Sequence, residues 1–137
     1  MLKKILIILV AVIFKIKSER FPIDIWEINH GIYITTLSGH NASINDLVVL
    51  PDGLLVSSSD DKSIKIWNPV STELIKTLTN HTDVVNGLTV LENGYLASGS
   101  GDTTIKIWDT NTGRVVKTIT GHSNPVTVLA GLINFSF

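Results

Sequence analysis

The sequence predicts an all-β fold assembled from repeated four-stranded antiparallel units. Three observations predict it: a 41-residue internal period, four short β-branched or aliphatic runs in each whole period, and hairpin turn residues between them. Trp26, Trp67 and Trp108 are 41 residues apart, as are His40, His81 and His122, and each Trp precedes the next His by 14. Laying residues 40–80 over 81–121 without a gap gives 17 identities in 41. A period of about 40–45 residues with four strands per unit is the signature of a propeller blade. The expected architecture is therefore a partial, open β-propeller of about three blades.

Taken in order, residues 1–20 form a hydrophobic segment. Residues 5–14 are ten uninterrupted apolar residues between Lys3-Lys4 and Lys15, Lys17 and Arg20. As a helix this run rises about 1.5 Å per residue and covers roughly half of a bilayer's hydrocarbon core, so no membrane span is expected. Its basic start and apolar centre resemble a signal peptide, but no small-residue cleavage site follows. The other readings are one or two buried strands of a degenerate blade, or a hydrophobic segment from a truncated or misread reading frame. The expected setting is intracellular, in the cytoplasm, with a secretory route if residues 1–17 act as a signal. The Asn-x-Ser/Thr triplets at Asn41, Asn80 and Asn134 matter only on that route.

Residues 21–39 read as the rear half of a blade, with its third and fourth strands near 21–26 and 33–37. One period before Asp61 stands Arg20, and before Ser57 stands Ile16, so the polar turn of that blade is degenerate. Residues 40–80 and 81–121 are whole units. In the second, strands are expected near 85–91, 96–100, 104–108 and 115–119. Asp52-Gly53 and Asn93-Gly94 stand where a hairpin with positive φ wants them, and Asn111-Thr112-Gly113 supplies a further turn. Residues 122–137 begin another blade, with a first strand near 125–129. A closed propeller of four to eight blades takes at least about 160 residues at this period, so one chain of 137 residues is not expected to close alone. It reads as a fragment, an open stack, or a protomer that closes with copies of itself. A hydrophobic fraction of 44% makes exposed blade faces prone to self-association.

The pairs Gly39-His40, Asn80-His81 and Gly121-His122 near each unit's start, and Trp26-Glu27, Trp67-Asn68 and Trp108-Asp109 near its end, resemble the WD-repeat family. Only the last is a literal Trp-Asp. The resemblance covers roughly residues 21–128. It implies that His40, Ser57, Asp61 and Trp67, and again His81, Ser98, Asp102 and Trp108, form buried hydrogen-bonded tetrads. The chemistry suits this: a turn Asp holds one ring nitrogen of the His, the Ser hydroxyl meets the other, and the hydroxyl also reaches the indole N–H, a donor only.

Ser, His and Asp are also the residue types of a hydrolase triad. Repetition argues against that reading, because a catalytic set is needed once and a structural set in every blade. Three histidines on three neighbouring blades do not converge, so no metal is expected, and no cofactor. The chain has no cysteine, which excludes disulfides, thiolate metal sites and cysteine nucleophiles. With 11 Lys plus Arg against 12 Asp plus Glu there is no basic field for nucleic acid. His30, beside Gly31, reads as a surface residue without an identifiable partner.

The function these features imply is a non-catalytic scaffold that binds other proteins or peptides on loops held rigid by the blades. Candidate contacts are the residues beside the repeated motifs: Asn41, Ser43 and Asp60 in one blade, and Thr82, Asp83 and Gly101 in the next. The rival readings are a truncated gene product without independent function and a small Ser/His/Asp hydrolase.

Overall fold

In a computed structural model the chain is all β, with no helix among the described residues, which are 8–12, 21–27 and 29–131. The first blade contains β1 (Ile8–Val12), β2 (Phe21–Glu27) and β3 (Ile32–His40). The second contains β4 (Ile44–Val49), β5 (Leu55–Ser59), β6 (Ser63–Asn68) and β7 (Glu73–Thr79). The third contains β8 (Val85–Val90), β9 (Leu96–Ser100), β10 (Ile105–Asp109) and β11 (Arg114–Ile119). Every strand pairs antiparallel with its sequence neighbour inside its own blade, and the sheets do not close into a ring. The local reason is plain at the hairpins. Gly53 and Gly94, one period apart, adopt φ of 88° and 81°, where a side chain is strained, and Asp52 and Asn93 each accept the amide two residues on.

The two cores lie between blades. Period-2 alternation gives each sheet a forward face and a rear face, and the forward face of one blade packs on the rear face of the next. Ile23, Ile25 and Leu37 of the first blade meet Ile44, Leu55 and Trp67 of the second. Val56, Ile64, Ile66 and Leu78 of the second meet Val85, Leu88, Leu96 and Trp108 of the third. Each fully buried aliphatic side chain contributes roughly 1.5–3 kcal/mol relative to exposure, so blade stacking carries most of the stabilisation.

Three features differ from the sequence expectation. The first blade has three strands among the described residues rather than four. Its β1 lies at residues 8–12, inside the apolar run 5–14, and pairs with β2; the rest of that run lies outside the described residues. The register places Ala11 opposite Asp24, as Ser57 lies opposite Lys65 and Ser98 opposite Lys106. The serine position is thus filled by Ala11 rather than by Ile16, because the β1–β2 connection is longer than the period assumes. Finally, residues 125–129 form no paired strand, since none of the described residues lies beside them to complete a ladder. They nonetheless dock: Val126 is buried and its amide donates to the Ser100 carbonyl at 2.9 Å. Gly99 makes room, since a Cβ there would sit 2.5 Å from Val126 Cγ1.

Candidate functional site

The strongest side-chain constellations are the two repeated polar sets. His40 ends β3, Ser57 is central in β5, Asp61 sits in the β5–β6 turn and Trp67 is the penultimate residue of β6. His40 Nδ1 lies 2.8 Å from Asp61 Oδ2, and its Nε2 lies 2.7 Å from Ser57 Oγ. Trp67 Nε1 donates to the same Ser57 oxygen at 2.9 Å. One period on, the corresponding distances are 2.7 Å for His81 to Asp102, 2.8 Å for His81 to Ser98 and 2.8 Å for Trp108 to Ser98. Each indole also packs against its histidine with ring centroids 6.1 Å apart, edge-on for Trp67 and tilted for Trp108.

Electrostatics assign the protons. Burial opposes the charge on Asp61, but hydrogen bonds from the Ser63 hydroxyl, the Asn41 amide, His40 and the Ser63 amide outweigh it and lower the carboxyl to about 2. Asp102 is likewise held low against its burial, by the Thr104 hydroxyl, His81 and the amides of Thr82 and Thr104. Burial pushes His40 and His81 below the usual histidine range, despite the opposing pull of the two carboxylates. A neutral ring facing an ionised carboxylate places its proton on Nδ1, which donates to Asp. Nε2 is then the acceptor, so the Ser hydroxyl donates to it and accepts the indole N–H. Every polar atom of the tetrad is satisfied, which is the condition under which a buried network rigidifies its surroundings.

The connectivity Asp, His, Ser is also that of a hydrolase relay. Here the indole N–H engages the hydroxyl, and Ser57 and Ser98 are both 0% exposed. A nucleophile in that state has no approach for a substrate carbonyl. Among the described residues no group of three or more His, Cys, Asp or Glu is arranged to hold a metal ion, and no helix is long and apolar enough to cross a membrane.

The candidate contacts gather at one end of the stack. Antiparallel topology puts 41–43, 60–62, 80–84 and 101–104 at that end, and 50–54, 69–72, 91–95 and 110–113 at the other. Asn41, Asp60, Thr82 and Asp83 are exposed; Ser43 and Gly101 are half-buried. Their backbone is clamped from beneath. The amides of Asn41 and Thr82 donate at 3.0 Å to Asp61 and Asp102. Asp60 and Gly101 donate amides at 2.9 Å to the carbonyls of Ser43 and Val84. Lys62 Nζ reaches the Thr82 carbonyl at 3.0 Å and ties the two loops together across blades. A shallow pocket of about 240 Å³ lies at the opposite end, lined by Leu50, Pro51, Asp52, Gly94, Thr110 and Asn111.

Several residues that sequence reasoning passed over carry structural roles. Asn45 Nδ2 donates to the Val85 carbonyl at 3.0 Å, and Asn86 Nδ2 to the Val126 carbonyl at 2.9 Å, one period later. Their 41-residue spacing was visible, but their partners lie on the next blade. Lys65 and Lys106 are buried and donate to Thr77 and Thr118, while Asp24 accepts from Thr36 at the same register of the first blade. The residue after each Trp is a turn cap: Glu27, Asn68 and Asp109 each accept the amides two and three residues on. A side-chain oxygen suffices for this, which explains why Glu and Asn stand in for Asp. His30 is exposed but has a partner after all, Glu27, at 2.9 Å.

A stack of antiparallel blades, of which the two four-stranded ones are each internally braced by an Asp-His-Ser-Trp set, defines the class as a β-propeller repeat protein. The WD domain, G-beta repeat profile matches residues 31–68 and 72–109, more than half of the chain, and the chain belongs to this family. Over 36 residues it is 53% identical to pleiotropic regulator 1 of Bos taurus and of Homo sapiens, spanning 26% of this chain and 7% of those proteins. A solved structure described as that of U3-55K superposes with a TM-score of 0.75 at 27% identity. That match covers 81% of this chain and 36% of the other. The chain thus spans only a small part of the curated relatives it matches. WD-repeat proteins are generally non-catalytic scaffolds that bind other proteins.

Proposed function

We propose that the chain presents a docking surface for a protein or peptide on the end of the stack that carries Asn41, Ser43, Asp60, Thr82, Asp83 and Gly101. One observation carries this reading: the tetrad aspartates hold the Asn41 and Thr82 amides, so polar, exposed side chains project from a backbone fixed before binding. A pre-ordered surface loses little conformational entropy when a partner docks. The role is passive, and the sealing of Ser57 and Ser98 beneath their indoles supports a non-catalytic one.

The test uses photo-crosslinking side chains placed at Asn41, at Thr82 and, on the opposite end, at Asn111. The same cross-linked partner is expected from Asn41 and Thr82, and it should disappear when Asp60 and Asp83 are both changed to Ala. Equal capture from Asn111, or capture unaffected by the double substitution, overturns the proposal.

A further inference from the structure

The structural sets of this chain recur every 41 residues, so a side-chain combination that does not recur needs a different explanation. The cavity of about 240 Å³ at the end of the stack away from Asn41 and Thr82 holds such a combination. It lies where the second and third blades meet. Leu50, Pro51 and Asp52 come from the β4–β5 hairpin, Gly94 from the β8–β9 hairpin, and Thr110 and Asn111 from the β10–β11 turn. One period before Gly94, Thr110 and Asn111 stand Gly53, Pro69 and Val70, and one period after Asp52 stands Asn93. Among the described residues, a carboxylate facing a hydroxyl and an amide across a blade junction thus belongs to this junction and is not a property of the repeat.

The walls are fixed by hydrogen bonds. Leu50 donates its amide to the Leu54 carbonyl at 2.8 Å and Gly53 to the Leu50 carbonyl at 2.9 Å; Leu91 to Tyr95 and Gly94 to Leu91 repeat the pattern at 2.8 Å. Asp109 caps the third turn, and Lys76 Nζ holds the Thr110 and Asn111 carbonyls from the second blade. The charge of Lys76 is met by Asp109, whose carboxyl is held low chiefly by the Thr112 amide and hydroxyl and in part by Lys76. Asp52, in contrast, takes part in no ion pair among the described residues. One of its oxygens accepts the Leu54 amide. Thr110 Oγ1 and the Asn111 side-chain amide make no hydrogen bond among the described residues. The cavity therefore offers an unmatched negative charge and two further side-chain oxygens beside the apolar surface of Leu50 and Pro51.

We propose that this cavity takes the side chain of one arginine from a partner protein. Its volume is below the roughly 300–1,000 Å³ of pockets for drug-sized ligands, so it holds a single side chain rather than a whole cofactor or substrate. A guanidinium carries five N–H donors in a rigid planar fork, which suits a carboxylate flanked by other oxygens, whereas a lysine ammonium is a compact point charge. The aliphatic stem lies on Leu50 and Pro51 while the head pairs with Asp52. This site is at the opposite end from Asn41 and Thr82 and does not depend on docking there.

The test is an amide NMR titration of the full chain with arginine blocked at both ends, as its acetyl and methylamide derivative, and with the matching citrulline compound, which keeps the shape and removes the charge. Amides of residues 52–54, 94 and 111–113 are expected to shift with the blocked arginine, half-saturating on the order of 1 mM, and the citrulline compound should bind about fivefold more weakly. Asp52→Asn should weaken the blocked arginine to the level of citrulline. That variant keeps the hairpin, because Asn93 one period later accepts the Tyr95 amide at 3.1 Å just as Asp52 accepts that of Leu54. No shift, shifts spread evenly over the surroundings of Asp52, Asp60 and Asp83, equal binding of the citrulline compound, or binding unchanged by Asp52→Asn overturns the proposal. Tighter binding of free arginine than of the blocked residue overturns it too, since the occupant would then be the amino acid and not a partner's side chain.

Discussion

Ser57 and Ser58 are adjacent in β5, both 0% exposed, yet replacing them with alanine is expected to change stability in opposite directions. Ser57→Ala deletes the oxygen that accepts the Trp67 N–H at 2.9 Å and donates to His40 Nε2 at 2.7 Å. Two buried polar groups are orphaned. Each costs about 1–3 kcal/mol, and partial relaxation brings the expected loss to about 2–4 kcal/mol. Ser58 Oγ, in contrast, is buried with no hydrogen-bond partner among the described residues. Its side chain lies on the opposite face of the strand, where the third blade packs. Ser58→Ala relieves an uncompensated desolvation and should be neutral or stabilising by about 1 kcal/mol. Urea unfolding followed by tryptophan fluorescence measures both. For a chain of this size each kcal/mol corresponds to roughly 3–5 °C in Tm, so thermal scans should separate the two variants by about 10 °C. A Ser57→Ala loss below about 0.5 kcal/mol, or a Ser58→Ala loss equal to it, refutes the tetrad as the brace of the blade.

Acid should destabilise the fold in two stages. His40 and His81 are held below their ordinary range in the fold, so the unfolded chain takes up protons first and stability falls as pH drops below about 6.5. Asp61 and Asp102 contribute fully above about 3.8, and that contribution is lost as pH falls towards the folded value, about 2 for Asp61. Unfolding free energies measured from pH 8 to pH 3 check this, and a flat profile between pH 7 and 5 contradicts it. Thr103 is β-branched at φ 68°, so Thr103→Gly should stabilise by about 0.5–1 kcal/mol, read from the urea midpoint. Gly99→Ala should dislodge Val126 and increase proteolysis within 122–131, with Val126→Ala in the same chain restoring protection. Lys76→Ala removes donors to the Thr110 and Asn111 carbonyls, at 3.1 and 2.6 Å. It should cost about 1 kcal/mol and speed amide exchange around 109–113.

The strands of the third blade were readable to within a residue or so, because each is a short alternating run ended by a turn residue that acts locally. Membership of the tetrads was readable through resemblance and repetition, since four residue types recurred together at one period. Their hydrogen-bond geometry was not readable, and neither was the role of the Trp-following residue as a turn cap, although Glu27, Asn68 and Asp109 share a side-chain oxygen that hinted at it. Asn45, Asn86, Lys62 and Lys76 escaped notice because each acts on a carbonyl of another blade, 20 to 40 residues away in sequence.

What this sequence determined by itself is the unit: its period, its four strands, its turns and the residues that recur in it, all set by local backbone preference and side-chain alternation. What only the tertiary structure decided is how units meet. β1 pairs in a register that puts Ala11 where the other blades carry serine, and only that pairing shows that the described residues of the first blade hold no serine at the tetrad position. One of two neighbouring serines is a brace and the other an unpartnered hydroxyl, because alternation sends them to opposite faces and stacking decides what each face touches. Local sequence sets which residues share a face; the partner of that face comes from a separate blade, and no window of the chain contains both.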